Sequence, residues 1–106
     1  MADSFDPSAS SHETKFKLDA ETEFKVAARR NKMLGLWLAE KLGITSSAVA
    51  DYAKEVVLAD LEEPGDEDVV RKVMKDIEER GADVTEETVR EKLTEFYEAA
   101  AEELAD

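Results

Sequence analysis

The residues that could carry chemistry in this 106-residue chain are few and badly placed for it. There is one histidine, His12, and no cysteine. His12 lies in a polar stretch near the start, so no serine–histidine pair is held in a core. Without cysteine there are no disulfides, thiolate metal sites or thiol nucleophiles, a usage that fits a reducing compartment. Asp66-Glu67-Asp68 is the densest acidic run beside a glycine. It lacks the alternating oxygen ligands and distal Glu of a calcium loop and reads as a solvated helix start. No phosphate-cradling glycine loop occurs. These absences point to a protein that is not an enzyme, with no catalytic residue, no metal and no cofactor.

The remaining chemical signal is a cluster of cations. Lys25, Arg29, Arg30 and Lys32 fall within eight residues with no acid among them, just before the only tryptophan, Trp37. The chain as a whole carries a net charge of −13. Residues 1–43 are neutral, with seven cations and seven acids, and residues 44–106 carry all the excess negative charge. A nucleic-acid binder needs a wide basic face, and this chain would repel phosphate almost everywhere else, so nucleic acid is excluded as a partner. Two explanations stand for the cations: they meet a partner, or they pair with acids inside the protein. Asp3-Ser4 has the residue pair at which acyl carrier proteins bear phosphopantetheine, but there the serine opens the second helix, and Thr45-Ser46-Ser47 has no preceding Asp.

The elements that must position these residues are helical. Apolar residues recur at helical spacing and strand alternation is nearly absent. Gly43, Gly65 and Gly81 cut the chain into helix-length pieces. The pattern predicts helices over about 18–42, 46–62, 66–80 and 86–104, an all-α four-helix bundle with a disordered N-terminal segment. In the first helix the expected buried stripe runs through Phe16, Ala20, Phe24, Ala27, Leu34, Leu38 and Leu42, with Val26, Met33 and Trp37 beside it. Gly43 and Gly81 are the expected helix stops and Thr45 and Thr85 the expected N-caps. Gly35, inside a helix, predicts close helix–helix approach. Residues 1–14, with Pro7 and a serine-rich run, bury too little to order themselves. Two domains are expected: a mobile segment, 1–18, and the bundle, 19–106. No apolar run is long enough for a membrane span or placed like a secretory signal.

Two blocks carry a resemblance: ARRNKMLGLW (28–37), preceded by Phe24, and EPGDEDV (63–69). With HETKFKLDAETEF before them, they make the chain resemble the ζ subunit of alphaproteobacterial F-type ATP synthases over roughly residues 4–104. That resemblance implies an inhibitory subunit, not an enzyme. Its N-terminal segment would enter the interface between catalytic α and β subunits near the central rotor stalk, become helical and block hydrolysis. It implies a cytoplasmic protein held at the cytoplasmic face of the inner membrane only through the complex. That it is monomeric when free is expected from the residues themselves, which show no second apolar seam.

The residues expected to touch the partner are Phe5, His12, Glu13, Lys15, Phe16, Lys17, Asp19 and Phe24 in the segment, and Arg29, Arg30 and Lys32 at the start of the bundle. Phe16, Ala20 and Phe24 stand at i, i+4 and i+8, one apolar line for a groove. PSASS at 7–11 departs from the charged, helix-favouring residues common in the family, and Pro7 is tolerated only in a first helical turn. An unperturbed histidine titrates near neutrality, which would allow inhibition to depend on pH, but a single histidine in a polar tail such as His12 is more often uninvolved. The alternative reading is a small acidic helical module that binds a protein through the bundle, near Trp37, without inhibiting it.

Overall fold

Helix stops, caps and one close crossing set this fold. The structure, a computed structural model, describes residues 20–60 and 66–104. They form four helices and no strand: α1 (Ala20–Lys41), α2 (Ala48–Asp60), α3 (Glu67–Arg80) and α4 (Glu86–Leu104). The expected segment 1–18, and with it Phe5, His12, Glu13, Lys15, Phe16, Lys17 and Asp19, lies outside the described residues. So do residues 61–65.

The local signals act as the residue types require. Gly43 takes φ +80° and Gly81 φ +68°, values that glycine adopts without a Cβ clash. At each, the next residue's N–H reaches back to close the helix. Ile44 N–H donates to Ala39 O at 2.9 Å, and Ala82 N–H to Ile77 O at 3.0 Å. Both are the paired ending that satisfies orphan carbonyls. Thr85 caps α4, its Oγ1 accepting from Thr88 N–H at 3.2 Å. Thr45 does not cap α2. Ser46 takes φ 61° instead, and the helix begins at Ala48. The tight turn after Gly43 consumes residues that periodicity alone assigned to the helix.

α1 is the central element and packs mainly against α2 and α4, with α3 closing the far side against α2 and, more lightly, α4. Its crossing with α2 is very close. A Cβ on Gly35 would lie 2.6 Å from Ala53 Cα and 3.1 Å from Ala53 Cβ. Only glycine lets these two backbones meet at that distance.

The core has two parts. The larger gathers Leu34 and Leu38 of α1, Tyr52 and Val56 of α2, Val69, Val73 and Ile77 of α3, and Val89 and Leu93 of α4. The smaller holds Val26 against Ala100 and Ala101, with Met33 and Tyr97 beside them. The expected stripe through Ala20 and Phe24 is not part of either. Both are exposed, Phe24 to 59 %. The burial line of α1 instead runs through Val26, Arg30, Asn31, Leu34 and Leu38. The apolar spacing continues back toward the start of α1, but no neighbouring helix among the described residues covers it there.

Candidate partner-binding site

The cations of α1 start from the same short stretch and end in different surroundings, because successive residues of a helix point about 100° apart. Arg30 points inward. Its side chain is only 8 % exposed, its Nε donates to Asn31 Oδ1 at 3.0 Å, and its guanidinium donates to Asp66 Oδ1 at 2.9 Å. Along α1 this polar joint sits between Val26 of the smaller core and Leu34 of the larger. A buried guanidinium is tolerable only when paired and hydrogen-bonded, and the Asp66 carboxylate supplies the pair. Asp66 stands at the start of α3 and makes no side-chain cap there, since its carboxylate serves Arg30. Asn31 is fully buried, and its Nδ2 has no hydrogen-bond partner among the described residues.

Arg29 lies on the surface and donates from Nε to Glu103 Oε1 at 3.0 Å. Lys25 approaches Glu21, one turn back, at 3.7 Å. Lys32 is exposed, with no ion pair among the described residues. For Arg29 and Arg30 the geometry therefore gives the internal pairing that the acid excess made available, and Arg30 is too enclosed to meet a partner directly. Of the expected contact residues that are described, Phe24 and Lys32 are exposed, and their side chains make no ion pair or hydrogen bond among the described residues.

The acids of the 66–68 run do not converge on a common point. Asp66 takes Arg30, Glu67 takes Arg90 at 3.1 Å, and Asp68 takes Arg71. The hydrogen bond and charge of Arg90 hold the Glu67 carboxyl below the usual range, and Glu67 with Glu86 holds the Arg90 guanidinium above its own. Arg30, Asp66, Arg90, Leu93, Thr94, Tyr97 and Glu98 line an open cleft of about 540 Å³ between α1, the start of α3 and α4. Trp37 is half-buried against the larger core, with Lys92 Nζ 5.5 Å and Lys41 Nζ 5.8 Å from its ring centre. It is a packing anchor covered by lysine stems.

One network was not foreseen from sequence. The Tyr52 hydroxyl donates to Asp76 Oδ2 at 2.8 Å, and Lys72 Nζ donates to the same oxygen at 2.9 Å and to Glu55 Oε1 at 3.0 Å. It ties α2 to α3. Burial, then the hydrogen bond to Asp76, pushes the Tyr52 phenol well above its ordinary value. Burial alone would lower the Lys72 ammonium, but the hydrogen bonds to Asp76 and Glu55 outweigh it and the net shift is upward. The available signals were the i,i+4 spacing of Lys72 and Asp76, and Tyr52 as the residue with a polar tip on the buried stripe of α2.

Fold and surface together define a small acidic protein of four helices, with a buried arginine joining its first and third helices and an exposed phenylalanine near the start of the first. The profile of the family described as ATPase inhibitor subunit zeta matches residues 1–103. The chain belongs to that family, and its role is inhibitory and regulatory. A structure solved by NMR in solution is similar, with 45 % sequence identity, a TM-score of 0.69, and coverage of 79 % of this chain and 95 % of that one. Among curated proteins none matches. No helix among the described residues is long and apolar enough to cross a membrane.

Proposed function

We propose that this protein inhibits ATP hydrolysis by the F-type ATP synthase by placing its N-terminal segment, residues 1–18, at a catalytic α/β interface near the central stalk. The bundle, 19–106, anchors that segment and performs no catalysis itself. The protein works at the cytoplasmic face of the inner membrane and meets the membrane only through the complex.

The observation that carries this reading is the reach of the family match, which begins at residue 1 and so takes in the segment ahead of the helices. The exposure of Phe24 supports it. An apolar ring at 59 % exposure near the start of α1 continues the i, i+4, i+8 line from Phe16 and Ala20. A groove on the partner would bury that line, and aromatic anchors of this kind often dominate binding energy.

The test is ATP hydrolysis by the purified ATPase with three forms of the protein. The full chain should inhibit. A form beginning at Ala20 should not, while keeping the helical circular dichroism of the bundle. Phe24→Ala should weaken inhibition about 10-fold, as expected for loss of one aromatic anchor. Equal inhibition by the full chain and the shortened form would move the activity into the bundle and overturn the proposal.

A further inference from the structure

We propose that the outward face of α1 is a second contact surface, which takes a narrow acidic patch on the ATPase beside the point where the N-terminal segment enters. The proposal rests on the inhibitor reading and adds to it a surface within the folded bundle.

Lys25, Arg29, Lys32 and Leu36 follow one another at spacings of four, three and four residues, which places them in one line along a helix. All four are exposed, and Leu36, an apolar residue, is 42 % exposed at the end of the line. The packing of α1 fixes this orientation. Gly35 and Ala53 join α1 to α2, while Val26 turns toward α4, so the line between those contacts faces solvent.

The stripe is unusual for this chain. No acid occurs between Phe24 and Ala39, and α1 carries five cations against three acids. From residue 44 onward there are 20 acids and seven cations. The ion pairs that Lys25 and Arg29 make, with Glu21 and Glu103, are solvent-exposed and weak, so they exchange readily for a partner's carboxylates.

The occupant follows from charge and shape. A second copy of the chain brings another net charge of −13, and the two bodies repel. An anionic lipid surface is a wide plane that meets the acidic helices along with the stripe. A patch of protein surface can be as narrow as the stripe, roughly 16 Å from Lys25 to Leu36 at the helical rise. The complementary surface is therefore acidic protein with an apolar spot for Leu36. Binding there would turn the acidic helices toward solvent and hold Phe24, on the same helix, at the point of entry.

The experiment measures association and dissociation of the full chain with the purified ATPase, at low and at physiological ionic strength, alongside inhibition of hydrolysis. The variants are Lys32→Glu and Leu36→Gln, both at exposed positions, with folding checked by circular dichroism and thermal unfolding. Lys32→Glu should slow association about 10-fold at low salt, and the difference should shrink as salt rises. Leu36→Gln should speed dissociation several-fold at either salt. Unchanged rates in both variants, with the wild type inhibiting normally, would overturn the surface and leave the inhibitor reading intact. Absence of inhibition by the wild type would bring down the inhibitor reading and the surface with it. Tight binding of the wild type to vesicles containing phosphatidylserine, lost in Lys32→Glu, would assign the stripe to lipid and overturn the protein partner.

Discussion

At the scale of single residues, the polar groups buried between helices hold this protein together more specifically than its many surface charges do. Arg30 and Asp66 bring together the two sequence blocks that carried the family resemblance, 28–37 and 63–69, through one hydrogen bond. Tyr52 does the same for α2 and α3. Its contribution depends on pH in a definite direction. The Tyr52 phenol and the Lys72 ammonium both hold their protons more tightly in the folded state than in the unfolded chain. Their contribution is complete below about pH 10 and is lost as pH rises above it, because the unfolded state then binds fewer protons than the folded one. Tyr52→Phe should therefore cost about 1.5–3 kcal/mol at neutral pH, the range for a lost hydrogen bond to a charged group. It should also flatten the decline of stability above pH 10. Urea unfolding of both proteins across that range checks the claim, and equal alkaline slopes would refute it.

At the scale of elements, the α1–α2 crossing is the tightest contact and the easiest to damage. Gly35 costs the helix roughly 1 kcal/mol in intrinsic propensity relative to alanine. Against that gain, Gly35→Ala drives a methyl to 2.6 Å from the Ala53 backbone, an atom that no side-chain rotation can move. Overpacking of this kind typically costs about 1–3 kcal/mol. The variant should be destabilised despite its better helix former, with a lower midpoint in thermal unfolding. A rise in midpoint would mean that the helices separate at little cost. The same crossing aims the outer line of α1, so its loss should also weaken the contact proposed for Lys32 and Leu36.

At the scale of the whole molecule, charge is the controlling quantity. The exposed pairs, such as Arg90 with Glu67 and Glu86, leave the chain's net charge of −13 uncompensated. Self-repulsion among carboxylates should outweigh them. Added salt screens both, with a Debye length falling from about 30 Å at 0.01 M to about 8 Å at 0.15 M, and the longer-range repulsion is screened first. The melting temperature should therefore rise over that interval. A fall would show that the exposed pairs carry more stability than the surplus acids remove.

The four helices, the stops at Gly43 and Gly81 and the cap at Thr85 were legible in the residues alone. Each of those follows from local chemistry: a repeat every three or four residues, a backbone angle that favours glycine, a hydroxyl placed three residues before an N–H. The sequence also named Phe24, Arg29, Arg30 and Lys32 as residues of interest. Which way each one points depends on how the helices pack around it. Arg29 and Arg30 are adjacent in the chain, yet one pairs at the surface and the other is enclosed, because the positions of α2, α3 and α4 around α1 determine which side is inside. Phe24 keeps the spacing of a buried stripe and is exposed for the same reason. A periodic pattern says that residues share a face; only the neighbouring helices decide whether that face is covered.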